Sequence, residues 1–254
     1  MNAADTIREV LILAGGRGTR LREAVPDRPK VLADVNGTPF LELIIRRLAA
    51  ASLTNICLLT GYRHEQVSDH FGDGARLGVS IRYSREEEPL GTGGALGLAI
   101  KTSDGIHEGA SDGPARYLAM NGDSWYSIDY TTLISAATGI CTLALKPMAD
   151  CDRYGTVTVA SDGRITGYGE KTKAGPGLIN SGFYVVESSL TRYIADGVVS
   201  LENDVFPRLV ADDQLRSVTM DAEFIDIGIP ADYQRFVADI AQNGIAAAPP
   251  QSKT

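Results

Sequence analysis

Cysteine, histidine and long apolar runs are what this chain of 254 residues has least of. Its three cysteines, Cys57, Cys141 and Cys151, are odd in number and lack any Cys-x-x-Cys spacing. Neither a disulfide framework nor a thiolate zinc site is therefore expected. The three histidines, His64, His70 and His107, are scattered through polar surroundings and are read as surface residues with no chemistry assigned. No apolar run approaches the ~20 residues of a membrane span. The first ten residues, MNAADTIREV, lack the basic and apolar regions of a secretory signal, so a cytoplasmic location with no membrane partner is expected. A basic surplus is also missing: 24 Lys and Arg against 32 Asp and Glu leave a net charge of −8, which argues against nucleic acid as a partner.

What is present is ordinary globular composition, 44% apolar and 22% charged, with length for one large or two small domains. The stretch Leu11 to Lys30, LILAGGRGTRLREAVPDRPK, stands out. Val10 to Leu13 read as a buried parallel strand. The chain then breaks into Gly15-Gly16-Arg17-Gly18, where missing Cβ atoms let backbone N–H groups approach a ligand. Arg17, Arg20 and Lys30 add positive charge suited to phosphate, and in so acidic a chain such a site must gather its cations locally or recruit metal ions. Two common nucleotide motifs are excluded. Leu21 stands where the dinucleotide fingerprint needs its third glycine, and no G-x-x-x-x-G-K-[ST] run exists.

Periodicity places helices at 39–49, 64–71, 91–100 and 231–242, and strands at 56–60, 79–83 and 117–120 in the first half. That alternation predicts an α/β fold with a mostly parallel central sheet, in which ligands sit beyond the carboxyl ends of the strands. Strand-like runs at 142–146, 155–160, 165–168, 178–186, 215–219 and 224–227 make the second half look more antiparallel, extending the same sheet. Residues 101–116 read as a surface connection and 243–254 as a disordered tail.

Five further stretches carry polar chemistry: Glu86 to Ala95 (EEEPLGTGGA), Asn121-Gly122-Asp123, Asp152 to Gly155 (DRYG), Gly169-Glu170-Lys171, and Ile225 to Gly228 (IDIG). Asp123 and Asp226 each follow a strand. Two carboxylates at strand ends, facing a cationic glycine loop, suit Mg²⁺ held against nucleotide phosphates. Either aspartate alone reads as a turn former or cap.

With Pro29-Lys30 and Asn180-Ser181-Gly182, these motifs in this order resemble the sugar-1-phosphate nucleotidyltransferases over roughly residues 7 to 242. EEEPLGTGGA, NGD and the absence of a C-terminal β-helix most resemble the guanylyltransferases acting on D-glycero-D-manno-heptose 1-phosphate. The resemblance implies a Rossmann-like three-layer fold in a single domain, 1–242. Its nucleotide-binding part would cover about 1–125 and its sugar-phosphate part, with added antiparallel strands, about 126–242. It implies Mg²⁺ as cofactor, GTP and a sugar 1-phosphate as small-molecule partners, and a role in surface polysaccharide synthesis. A homodimer is the default assembly.

The same resemblance implies that the nucleotide meets Leu13, Ala14, Gly15, Gly16, Gly18, Thr19, Pro89, Gly91, Thr92 and Gly122. Arg20 and Lys30 would stabilise the departing pyrophosphate, and Asp123 and Asp226 would hold the metal. Lys171 would bind the sugar phosphate, and Gly155, Glu170 and Asn180 the sugar hydroxyls. Ile229-Pro230 departs from relatives that carry Thr after Asp-Ile-Gly, so a hydroxyl contact there is lost. Guanine offers N1–H and N2–H₂ side by side to a carboxylate, which makes Glu86 or Glu88 the expected reader of the base. Alternatives are a mannose-1-phosphate guanylyltransferase, a thymidylyl- or uridylyltransferase, and a non-catalytic nucleotide-sugar sensor. A sensor should lack Lys30, Asp123, Asp226 or Lys171, and all four are present.

Overall fold

The first apolar run forms the central strand of the molecule. In the computed structural model, which describes residues 3–21, 24–106, 114–151, 154–168 and 175–244, it is β1 (Glu9–Leu13). Then follow β2 (Asp34–Val35), β3 (Thr38–Pro39), α1 (Phe40–Ala50), β4 (Asn55–Thr60), α2 (His64–Phe71), β5 (Ser80–Arg85) and α3 (Gly91–Ile106). Next come β6 (Arg116–Asn121), β7 (Ser124–Tyr126), α4 (Tyr130–Ala136), β8 (Cys141–Met148), β9 (Val157–Val159), β10 (Ile165–Tyr168) and β11 (Gly177–Glu187). The chain closes with α5 (Phe206–Ala211), β12 (Leu215–Thr219), β13 (Phe224–Asp226) and α6 (Pro230–Asn243).

Seven strands form one sheet in the order β12-β8-β11-β6-β1-β4-β5. Six run the same way and only β11 runs against them. Period-two alternation along the strands builds two cores. Val10 and Ile12 face a layer containing Phe40, Leu41, Ile44 and Leu48 of α1, Val67 of α2 and Phe236 of α6. Leu11, between them, faces Leu96 and Ile100 of α3 and Phe206 and Leu209 of α5. The result is the expected three-layer α/β arrangement with a mostly parallel sheet.

Three expectations need correction. The second half extends the main sheet with β8, β11 and β12, but of these only β11 is antiparallel. β9 and β10 instead pair as a separate hairpin. β13 does not join the main sheet; it pairs with β7, a three-residue strand too short to show a pattern. Finally, α3 runs six residues beyond Ile100, because Ser103 stays buried and Asp104 is held by Arg8 (2.6 Å) and by the Tyr117 hydroxyl (2.7 Å). Residues 107–113 and the tail from residue 245 lie outside the described residues. No described helix is long and apolar enough to cross a membrane.

One buried charge ties the α1–α2 layer together. Glu42 of α1 is only 4% exposed and accepts from Arg46 (2.7 Å) and Arg76 (2.9 Å), with His70 of α2 at 3.1 Å. Burial alone pushes its acid up, but the hydrogen bonds from Arg76, Arg46 and His70 overcome this and bring it down to about 2. A carboxylate held below its unfolded value of 4.5 stabilises the fold above pH 4.5 and loses that contribution as pH falls towards 2. Glu42→Gln is therefore expected to cost about 2 kcal/mol at pH 7, discounted because both arginines are half exposed. Urea titrations should show the gap from the unmodified protein closing between pH 4.5 and the acid limit; a gap independent of pH refutes the assignment.

Candidate active site

β1, β4, β5 and β6 end at the same edge of the sheet, and the loops that leave them stay tied together. Ala14 N–H donates to Leu59 O (2.8 Å), Gly122 N–H to Leu13 O (2.9 Å), and Glu86 N–H to Thr60 O (2.8 Å). Gly15 is required by closeness: a Cβ there would lie 3.1 Å from Gly61 N and 3.2 Å from Glu86 Oε1. Gly18 has φ +58°, and a Cβ on it would come within 3.0 Å of Lys30 Cβ. Gly16 differs, since nothing lies within 4 Å of its Cβ position. Its open side faces the space a ligand would fill.

Lys30 starts one turn of 3₁₀ helix, Lys30–Leu32, anchored by buried Val31 and Leu32. Its ammonium forms an ion pair with the Asp123 carboxylate. Asp123 lies in the turn from β6 to β7, and the β7–β13 pairing sets Asp226 opposite Ser124. Ile227 N–H donates to Asp123 O (3.0 Å), and Gly228 N–H to Asp226 Oδ1 (2.7 Å). Two aspartates over a hundred residues apart are thereby set side by side. Burial and then the Asp123 charge push the Asp226 acid up, while Lys30, the Gly228 N–H and Arg20 act in the opposite sense. Two cations and two carboxylates thus share one electrostatic centre.

Beside this centre opens a cavity of about 560 Å³. Leu13, Ala14, Gly15, Gly16, Lys30, Glu86, Pro89, Gly91, Thr92 and Asp123, all singled out in the sequence, line it. Arg17, read in the sequence as a cation suited to phosphate, lines it too. Tyr62, Arg85, Glu87 and Asn121 also line it and had no individual role assigned; only their position at or after the β4, β5 and β6 strand ends could have marked them. Of the residues expected at the nucleotide and its phosphates, six are not in its wall: Gly18, Thr19, Arg20, Gly122, Glu88 and Asp226. Gly122 packs on Leu13 O, where a Cβ would sit at 2.7 Å. Glu88 is exposed, because the chain bends at Glu87–Glu88 and turns Glu87 to the cavity instead. Glu86 already accepts Leu90 N–H at 2.6 Å with Oε2, and its burial pushes its acid up against that bond.

The glycines of the Gly91-Thr92-Gly93-Gly94 run serve a purpose the sequence hid. Gly93 N–H (2.8 Å) and Gly94 N–H (3.3 Å) both donate to Val199 O, and Val199 N–H returns to Leu90 O (2.8 Å). The first turn of α3 is capped by another part of the chain rather than left for phosphate. The Thr92 hydroxyl is likewise turned to that segment, accepting Leu201 N–H (2.9 Å) and donating to Glu202 (3.2 Å).

On the far side, Asn180 of β11 donates through Nδ2 to the Tyr184 hydroxyl (3.0 Å) and accepts Gly182 N–H (2.9 Å) through Oδ1. The Thr156–Ile179 bridge brings Gly155 beside it. Glu170 and Lys171, expected at the sugar phosphate, lie outside the described residues, as do Asp152 and Arg153.

Residues 9–243 match the family model described as Nucleotidyl transferase. The chain belongs to the nucleotidyl transferase family. Among its relatives is D-glycero-alpha-D-manno-heptose 1-phosphate guanylyltransferase of Campylobacter jejuni, 36% identical over 90% of this chain and 98% of its own length. Mannose-1-phosphate guanylyltransferase of Mycobacterium tuberculosis is 35% identical over 95% of this chain, but only 66% of the longer relative is covered. Among solved structures, HddC from Yersinia pseudotuberculosis complexed with GMP-PN superposes with a TM-score of 0.77 at 30% identity, covering 91% of this chain and 99% of that one.

Among the described residues both histidines are engaged away from the proposed chemistry. His64 is hydrogen-bonded to Thr60 Oγ1 (2.7 Å) and His70 to Glu42 (3.1 Å), so both are structural. A reaction whose nucleophile is already an anion has no need of either.

Proposed function

We propose that this nucleotidyl transferase joins GTP to D-glycero-α-D-manno-heptose 1-phosphate, giving the GDP-sugar and pyrophosphate. The observation that carries the proposal is the shared electrostatic centre of Lys30, Arg20, Asp123 and Asp226 beside a nucleotide-sized cavity. The choice of GTP and heptose draws on the Campylobacter relative, whose length this chain matches almost completely. A sugar phosphate oxygen, anionic at neutral pH, attacks the α-phosphorus of the NTP in line; the bond to the β-phosphate breaks and pyrophosphate leaves. Positioning two anions together is the main obstacle, and fixed positive charge relieves it.

The two aspartates fit a hard divalent cation. Among the described residues no third His, Cys, Asp or Glu joins them, and burial first, then the Asp123 charge, raise the Asp226 acid, a cost that a bound cation would relieve. Asp123 and Asp226 would hold Mg²⁺ there, and its charge would neutralise the phosphates. Lys30 and Arg20 hold the leaving pyrophosphate, and Lys171 the sugar phosphate. Glu86, in the cavity wall with one oxygen engaged by Leu90, offers the other to guanine N–H donors.

A pyrophosphate-release assay crossing four NTPs with heptose, mannose and glucose 1-phosphates tests this. GTP with heptose 1-phosphate should exceed GTP with mannose 1-phosphate by about tenfold in kcat/KM, the discrimination one or two hydrogen bonds give. Preference for mannose 1-phosphate favours the reading suggested by the Mycobacterium relative. Equal turnover with dTTP removes Glu86 as a guanine reader.

A further inference from the structure

Glu202 stands where the nucleotide-side helix α3 meets the strands β10 and β11, and the chemistry proposed above leaves it without a role. It lies in a π-helical turn, Leu201–Val205, docked on α3 through Val199. Its Oε2 accepts from Thr92 Oγ1 (3.2 Å) and from Ser200 Oγ (3.0 Å). Its Oε1 receives no hydrogen bond from any described residue. Thr92 belongs to the cavity wall, so the carboxylate is pinned one side chain behind that wall.

Two phenols from β10 and β11, Tyr168 and Tyr184, pack on Phe206 at the end of the same turn, with ring centroids 5.6 and 5.7 Å from it. Burial first, and then the Glu202 charge, raise the acids of Tyr168 and Tyr184 above their ordinary value. The Tyr184 hydroxyl accepts from Asn180 Nδ2 at 3.0 Å, whereas the buried Tyr168 hydroxyl makes no well-formed hydrogen bond with any described residue, although Asn180 is near enough to act on it and lower its acid. Tyr168 ends β10, immediately before Gly169-Glu170-Lys171. A buried hydroxyl without a well-formed hydrogen bond costs free energy, and the second Glu202 oxygen is open to accept; a ligand bearing several O–H groups can use both. A sugar is such a ligand. Its phosphate cannot be what approaches, because two anions would meet; the hydroxyl-bearing end must face Glu202.

Resting on the sugar 1-phosphate reading above, we infer that Glu202 determines sugar specificity: its Oε1 accepts from hydroxyls of the sugar 1-phosphate, and Tyr168 is a positioning residue behind it. Glu202→Gln keeps an oxygen for Thr92 and Ser200 but removes the charge, so the tie to α3 survives. Steady-state kinetics should show KM for the sugar 1-phosphate rising about tenfold, KM for GTP within about twofold and kcat little changed, as for loss of one charged hydrogen bond to a substrate. Sugar 1-phosphates lacking one hydroxyl at a time give the second readout. One of them should lose about tenfold in kcat/KM with the unmodified enzyme and nothing further with Glu202→Gln. Tyr168→Phe should change stability little, since no well-formed hydrogen bond to a described residue is lost, and raise the same KM several-fold.

An unmoved sugar KM in Glu202→Gln, with the deoxy series falling in parallel for both enzymes, overturns the inference. So does a rise confined to GTP, which would assign Glu202 to the ribose. Failure of the unmodified enzyme with every sugar 1-phosphate would instead overturn the proposed function itself.

Discussion

Replacing Asp123 by Asn is expected to lower turnover by about 10³-fold while leaving the protein folded. The substitution preserves size and the Asp123 backbone carbonyl that accepts Ile227 N–H, so the β7–β13 junction is kept. What goes is one of two negative charges at the electrostatic centre. Without it the Asp226 acid falls back towards its ordinary value, since the Asp123 charge is a cause of its rise second only to burial. Lys30 loses its partner and becomes free to meet phosphates, so GTP affinity should change little even as chemistry fails. That split between binding and turnover distinguishes a catalytic carboxylate from a merely structural ion pair. Pyrophosphate release measures the first and titration with a fluorescent GTP analogue the second. Near-normal release from Asp123→Asn would remove the metal assignment, and a matching loss in Asp226→Asn would strengthen it.

The pairing of those aspartates shows both what the sequence displayed and what it concealed. Each could be read as a carboxylate after an apolar run, because a strand end is a local feature. That they face each other depends on β7, three residues long, pairing with β13 across about a hundred positions. Nothing local encodes such a partner. The phosphate loop was readable for the opposite reason: Gly18 and Lys30 answer to geometry within twelve residues of each other, although the close approach of Gly15 to Gly61 and Glu86 is a long-range contact. Residues 188–211 were opaque, being built from single turns and a π turn whose stability comes from contacts with α3 rather than from periodicity. The misplaced Glu88 has a similar origin. Alternation predicts side-chain direction only while the strand lasts, and β5 ends at Arg85, before the acidic run begins.

Gly91→Ala is expected to destabilise the protein by about 3 kcal/mol, from a left-handed backbone that costs Ala about 1 kcal/mol and an overpacking cost of roughly 1–3. Gly91 has φ +74°, and its missing Cβ would lie 2.5 Å from Val199 O. That atom is a backbone carbonyl fixed by two N–H donors, so it has little room to yield. Relief would require the 197–201 segment to move off α3, taking with it the Thr92–Glu202 contact. Gly16→Ala is the matched control: its φ is ordinary and nothing stands within 4 Å of the new methyl, so stability should stay within about 0.5 kcal/mol. The methyl would instead project into cavity space and raise KM for GTP. Two glycines of similar sequence appearance should thus separate cleanly, one in denaturation midpoint and the other in nucleotide affinity. If Gly91→Ala is as stable as the unmodified protein, Val199 is not what demands the glycine, and the run at 91–94 reverts to a ligand-contacting loop. A glycine-rich motif leaves open whether a ligand or the chain itself makes the close approach, and this pair of substitutions distinguishes the two.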